Sequence, residues 1–135
     1  MPLTPPDDIS FDKDGKYISS LRIPHSTNTS GWGSLLLPVI VIRNGDGLTV
    51  LFTGGNHGDE YEGPVALRKL ANSLKPEEIR GQVIIVPYLN YPAVLAGTRL
   101  SPVDGLNMNR SFPGNPEGSM TLMIADFVYR ELVLR

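Results

Sequence analysis

The chain contains no cysteine in 135 residues. That excludes a disulfide framework, a thiolate metal site and a cysteine nucleophile, and it fits a cytoplasmic protein. Histidine is nearly absent too, with only His25 and His57. Long apolar runs are missing: none approaches the ~18 residues that span a bilayer. The first residues, Met-Pro-Leu-Thr-Pro-Pro-Asp-Asp, lack the basic and apolar regions of a signal peptide, so no membrane association is expected. Neither sign of charge dominates. Twelve basic and 14 acidic residues give a net charge of −2 and are well mixed, leaving no polycationic face for nucleic acid. These absences favour small-molecule chemistry over polyanion binding.

What is present is one domain's length of chain, able to bury a sizeable core, with 14 glycines and 12 prolines spread among hydrophobic runs. The pattern reads as α/β, a mixed sheet flanked by helices. Tyr17 to Ile23 is a short strand, followed by a polar linker from Pro24 to Gly33. Ser34 to Arg43 is β-branched and apolar, and Pro38, which lacks an amide donor, places it at an edge or a bulge. Asn44-Gly-Asp-Gly47 then reads as the turn of an antiparallel hairpin into Leu48 to Thr53. From Pro64 to Leu74, Ala66, Leu67, Leu70, Ala71 and Leu74 recur at helical spacing. Gln82 to Pro87 is a continuous apolar run of the kind buried on both faces of a parallel sheet, which makes strand, helix and strand a right-handed crossover unit. From Tyr88 to Gly118, prolines and glycines exclude a long helix, and a loop of that length is functional or disordered. A last helix is expected from Thr121 to Leu134.

Chemistry concentrates first in Thr53-Gly-Gly-Asn-His-Gly-Asp-Glu-Tyr-Glu-Gly-Pro64. An apolar strand stops at a glycine turn, and His57 and Glu60 follow three residues apart. Imidazole nitrogen and carboxylate oxygen both suit zinc, and a turn after a buried strand can aim the two at one open point. The spacing alone arises by chance in roughly one chain in eleven of this composition. The context adds to it: Gly54, Gly55 and Gly58 let the backbone approach a ligand closely, Gly63-Pro64 resembles a helix start, and strand, glycine loop and helix is where sites lie in open α/β sheets. The competing reading is a hydrogen-bonded loop histidine beside acidic residues that complement a helix dipole. A phosphate-cradling loop is disfavoured, because no Gly-Lys-Ser/Thr follows and three carboxylates flank it.

The second cluster lies in Gly97 to Gly114. Arg99, Asn107, Asn109 and Arg110 sit among rigidifying prolines and glycines after a buried strand. Arginine's planar fork binds carboxylates, so Arg110 could clamp a substrate carboxylate and Arg99 could polarise a carbonyl oxygen. Ordinary surface arginines with asparagines in turns are the alternative.

Asn56-His57-Gly58-Asp59-Glu60, followed some fifty residues on by Asn107-Met-Asn-Arg-Ser-Phe-Pro-Gly114, resembles the succinylglutamate desuccinylase/aspartoacylase family of zinc carboxypeptidase-like hydrolases. The resemblance covers about residue 31 to the C-terminus and is closest to the branch of N-acetyl-diaminobutyrate deacetylases. It implies residues 1–30 as a peripheral N-terminal segment and 31–135 as the N-terminal portion of a zinc-dependent deacylase domain. It further implies His57 and Glu60 as two ligands of a single zinc ion, Arg99 as the group that stabilises an oxyanion, and Asn109 with Arg110 as the pair that holds the substrate carboxylate. The implied reaction is hydrolysis of a small N-acyl amino acid. Relatives often carry Asp-Leu-Asn-Arg where this chain has Asn107-Met108-Asn109-Arg110, so a carboxylate placed to orient the arginines is replaced by a neutral amide. The family's third zinc ligand, a histidine in an Asp-x-His strand, and its catalytic glutamate are expected beyond Arg135. The expectation is therefore an architecture incomplete at the C-terminus, with half a site and an exposed sheet edge that could form a homo-oligomer. His25, in a Ser/Thr/Asn-rich linker, is expected to be a solvated loop histidine.

Overall fold

The computed structural model describes residues 2–135. Four strands, β1 (Gly15–Pro24), β2 (Ser34–Asn44), β3 (Thr49–Thr53) and β4 (Gly81–Val86), form one mixed sheet in the order β1-β2-β4-β3. β1 pairs antiparallel with β2, β2 antiparallel with β4, and β3 parallel with β4. Helices α1 (Glu62–Ser73), α2 (Tyr91–Ala96) and α3 (Met120–Phe127) complete the fold, and α3 runs on as a wider π-type segment, Val128–Val133.

Strand alternation builds the layers. Leu37, Val39 and Val41 of β2 and Ile84 and Val86 of β4 point to one face, where Ile124, Phe127, Val128 and Leu132 cover them. Ile40, Ile42 and Ile85 point to the other, against Leu67, Leu70, Ala71 and Leu74. A run apolar at every position is what a strand covered on both faces requires. β4 satisfies this condition, and α1 carries the apolar stripe that covers one side. Ala66, expected on that stripe, is exposed, and Pro64 falls third in the helix instead of first. β1 is an outer strand, yet Leu21 and Ile23 are buried in the main core together with Leu3 and Phe11 of the N-terminal arm.

The expected hairpin between the second and third strands does not form. β4 occupies the slot between them: it carries apolar side chains for both covered faces, whereas β3, left at the edge, is largely exposed. Stepping over one strand means crossing about 10 Å, within reach of the link from Asn44 to Leu48. Small residues let the link pass close to the start of β4: a Cβ on Gly47 would lie 2.9 Å from the Gly81 Cα. The Gln82 amide donates to the Leu48 carbonyl at 2.9 Å, and Asn44 Nδ2 donates to the Ile79 carbonyl at 3.0 Å. Pro38 sits in the half of β2 that pairs with β1 alone, since pairing with β4 begins at Ile40. There β2 has no neighbour on its other side, which is where a residue lacking an amide donor is tolerated.

The long segment after β4 is more ordered than its composition implies. α2 forms with Pro92 in its first turn and ends on Gly97, whose φ of 64° provides the left-handed cap. No helix among the described residues is long and apolar enough to cross a membrane. Truncating Ile84, which is fully buried, to alanine should lower stability by about 2–5 kcal/mol with α1 and α3 lost in one transition. Urea unfolding followed by far-ultraviolet circular dichroism would show it.

Candidate functional site

β3 and β4 run parallel and end side by side, so the chain leaving each of them enters the same region. Hydrogen bonds join the two exits: the Gly54 amide donates to the Val86 carbonyl at 3.0 Å, the Leu89 amide to the Gly54 carbonyl at 2.7 Å, and the Asn90 amide to the Gly55 carbonyl at 2.9 Å. Further on, the Gly58 amide donates to the Thr98 carbonyl at 2.9 Å. Gly58 lies directly against α2, where a Cβ would come within 2.0 Å of the Ala93 carbonyl. The glycine loop that carries His57 is thus sewn to the segment that carries Arg99.

At that junction His57 is buried, 7% exposed, and its Nδ1 lies 2.9 Å from Glu60 Oε1. The same carboxylate oxygen is 3.4 Å from Arg99 Nη1, and the Glu60 and Arg99 side chains are more than half exposed. The other ring nitrogen, His57 Nε2, lies 3.2 Å from Asn107 Oδ1. That oxygen also accepts the Asn109 backbone N–H at 3.0 Å, closing the first turn of the short helical stretch Met108–Arg110. A backbone amide can only donate, so it is the oxygen of Asn107 that faces both groups, and Nε2 must carry the proton that completes the second bond. In the neutral ring, Nδ1 then presents a lone pair to a carboxylate oxygen. Two such atoms come within 2.9 Å only with positive charge between them, either a proton on Nδ1 or a metal cation.

The donor set suits the second option. Nitrogen and carboxylate oxygen are zinc ligands, and 2.9 Å is within half an ångström of the roughly 3.3 Å that separates two ligands of one tetrahedral zinc. A ligating histidine ordinarily donates its other N–H to an acceptor, the position Asn107 fills. Among the described residues no third histidine, aspartate or glutamate joins the pair. His25 lies just past β1, its amide bonded to the Gly33 carbonyl at 2.9 Å.

Of the five residues singled out in the sequence, three come together, Glu60 touching both His57 and Arg99. Asn109 and Arg110 are both exposed on the adjoining turn, directly after the buried Met108, and Arg110 forms no salt bridge with any described residue. The sequence reading missed the part played by Asn107. Its side chain faces the imidazole of His57, not an arginine. The Asn-x-Asn spacing of a side-chain-closed turn was the available signal.

A second polar anchor holds this loop. Asp104 accepts the Thr121 N–H and the Thr121 hydroxyl, both at 2.8 Å, and the Leu106 N–H at 3.2 Å. It thereby caps the start of α3 from outside the helix. Burial pushes the Asp104 carboxyl up, but the hydrogen bonds from Thr121 and Leu106 outweigh it and hold the group below its ordinary value of 3.8.

Residues 46–133 match a sequence model of the succinylglutamate desuccinylase/aspartoacylase catalytic domain. The chain belongs to that family. Among characterised proteins it is 53% identical to the N-alpha-acetyl-L-2,4-diaminobutyric acid deacetylase of Halomonas elongata over 125 residues, 93% of this chain and 36% of the relative. It superposes with a TM-score of 0.92 and 52% identity on the product-bound ectoine utilization protein EutE (DoeB) of Ruegeria pomeroyi, covering 98% of this chain and 40% of that one. A succinylglutamate desuccinylase from Silicibacter sp. TM1040 gives a TM-score of 0.92 at 50% identity, with the same coverage of each chain. The chain thus spans about two fifths of the length of these relatives. The expected fold class, a mixed α/β sheet flanked by helices, is the one they share.

Two outcomes follow from this geometry. Asp104 binds its proton less readily in the folded state, so its stabilising contribution is fully present above pH 3.8 and is lost as pH falls through the lower folded value. Asp104→Asn should remove that acid dependence and about 1 kcal/mol of stability at neutral pH, measured by urea unfolding across pH 2.5–7. Gly58→Ala places a methyl group on the Ala93 backbone and should pull the His57 loop from α2. Faster amide exchange confined to residues 54–61 and 93–98 would report it.

Proposed function

We propose that this chain contributes to a zinc-dependent hydrolase that cleaves the amide bond of small N-acyl amino acids, with an N-acetylated diamino acid of the diaminobutyrate type as the first substrate to try. The observation that carries this reading is the 2.9 Å approach of His57 Nδ1 to Glu60 Oε1 while Nε2 is committed to Asn107. The relatives' names point the same way, since they include an acetyl-diaminobutyrate deacetylase and a succinylglutamate desuccinylase.

In this reading His57 and Glu60 hold the ion. Bound zinc supplies a Lewis acid for the amide carbonyl and lowers the pKa of water beside it. Arg99, adjoining Glu60 at 3.4 Å, presents a guanidinium to the oxygen that gains negative charge as the carbonyl is attacked. Arg110 offers paired N–H donors to the substrate carboxylate, and Asn109 beside it adds an amide donor. In this reading the third ligand and the carboxylate that moves the proton are not among these 135 residues, as the family resemblance implies. Two ligands alone should hold zinc weakly, so the reading concerns the natural full-length protein.

The test compares zinc content and hydrolysis of N-acetyl amino acids in that protein with His57→Ala and Arg110→Ala. His57→Ala should abolish both zinc and turnover. Arg110→Ala should keep zinc and lower kcat/KM by 10²-fold or more, the loss of a charge-assisted carboxylate clamp being about 3 kcal/mol. Hydrolysis of peptides in preference to acyl amino acids would replace this reading with a carboxypeptidase. An absence of zinc and turnover would leave a carboxylate-binding module.

A further inference from the structure

We propose that the β1–β2 ribbon is a dimerisation arm: Trp32 at its tip seats in a groove between the ribbon base and α1 of a second copy of this chain, and the second copy's Trp32 seats in the first. The proposal stands apart from the metal reading of His57 and Glu60.

The ribbon overhangs the sheet. β1 and β2 pair from Gly15 with Arg43 to Pro24 with Ser34, whereas β2 meets β4 only from Ile40 to Asn44. The half of β2 from Ser34 to Val39 therefore runs beside β1 alone, roughly 20 Å past the last residue paired with β4. Hydrogen bonds order the tip. The His25 N–H donates to the Gly33 carbonyl at 2.9 Å, Thr27 and Ser30 exchange backbone bonds at 2.9 and 3.1 Å, and the Ser26 hydroxyl donates to the Gly31 carbonyl at 2.9 Å. A Cβ on residue 33 would lie 2.4 Å from the His25 carbonyl oxygen, so glycine is required at that close approach. Trp32 stands between Gly31 and Gly33 and is 99% exposed.

An indole held in water by an ordered turn forgoes the gain that burial gives an aromatic side chain. Its surroundings are free of charge: no acidic or basic residue lies between Arg22 and Arg43. Tryptophan without charged neighbours is the composition of an interface centre. Such a surface fits a copy of itself, because no like charges are brought face to face and hydroxyl groups can both donate to and accept from their own kind. It also lacks the cations that would draw nucleic acid or an anionic membrane.

The complementary surface is on the same chain. α1 packs on Ile40, Ile42 and Ile85 but leaves Ile18 63% exposed. A groove of about 250 Å³ lies there, lined by Ile18, Pro38, Ile40, Ala71 and Tyr88, with Arg68 as its one charged residue. Arg68 forms no salt bridge with any described residue. An apolar slot beside a free guanidinium suits an aromatic ring, and tryptophan offers a cation the most favourable face. Trp32 cannot fill the groove of its own chain, because the paired ribbon holds it roughly 20 Å from Pro38. Reciprocal insertion about a two-fold axis occupies both grooves, buries both indoles and closes the assembly.

Sedimentation equilibrium of the natural full-length protein tests this, with Trp32→Ser, Arg68→Ala and Ile18→Glu beside the wild type. The wild type should be a dimer at micromolar concentration. Trp32→Ser should raise the dimer dissociation constant 10²-fold or more, since each dimer loses the contact twice. Arg68→Ala should raise it roughly 10-fold. Ile18→Glu, which sets a carboxylate in the apolar groove, should match the effect of Trp32→Ser. All three side chains are exposed, so circular dichroism should show the fold unchanged. The decisive measurement mixes Trp32→Ser with Ile18→Glu. The first keeps the groove and the second keeps the indole, so the mixed dimer retains one of the two contacts and should form at concentrations where neither variant pairs with itself. A merely structural effect of either substitution would give no such rescue.

A monomeric wild type, a dissociation constant unmoved by Trp32→Ser and Ile18→Glu, or a mixture without rescue would each overturn the proposal. Flotation of a monomeric wild type, but not of Trp32→Ser, with neutral phosphatidylcholine vesicles would overturn it too and make the tip a membrane contact.

Discussion

The site depends on β4 being seated between β2 and β3. Like β2, that strand carries apolar side chains for both covered faces, with Ile84 and Val86 turned to α3 and Ile85 turned to α1. Once it is there, β3 must pair with it parallel, because α1 has carried the chain back to the starting end of the sheet. Two parallel neighbours end at the same edge. The glycine loop after β3 and the loop after β4 are thereby placed in contact before any polar group has a part in it, which is the general reason sites in open α/β sheets form at strand ends. The hydrogen bonds from Gly54, Leu89 and Asn90 across the two exits convert that proximity into a fixed spacing.

Burial and exposure divide the labour within the site. His57 is enclosed, so its ring cannot turn freely and its two nitrogens have defined partners. Glu60 and Arg99 remain more than half exposed, where a substrate could reach them and where their mutual attraction is weakened by water. Little stability is therefore expected from the Arg99–Glu60 pair. Its value lies in placement: it brings a cation beside the carboxylate that shares a 2.9 Å contact with the imidazole. Asp104 works at the other extreme, stabilising the start of α3 and fastening the loop that leads to Asn107.

Legibility in the sequence followed physical locality. The strand Gln82 to Pro87 and the amphipathic helix after Pro64 were readable because the apolar periodicity of a segment reports directly on how many of its faces are covered. His57 and Glu60 were readable because they lie three residues apart on one loop. The pairing of β2 with β4 was not, since Asn44-Gly-Asp-Gly47 is equally suited to a tight hairpin and to a link that steps over a neighbour. The choice is made by a strand more than thirty residues downstream. α2 was hidden by Pro92 and Gly97, which look like helix breakers in composition and act as a helix start and stop in place.

The contact between His57 and Asn107 shows the same limit at the scale of one atom. Fifty residues separate the two, and nothing in the asparagine's neighbourhood announces a histidine. Compared with an aspartate at that position, the amide looks like the loss of a charge that would orient arginines. In the folded chain its oxygen is already oriented by the Asn109 amide, and the direction left over points at the imidazole. A substitution that appears to weaken the arginine cluster instead retains a neutral acceptor for the ring.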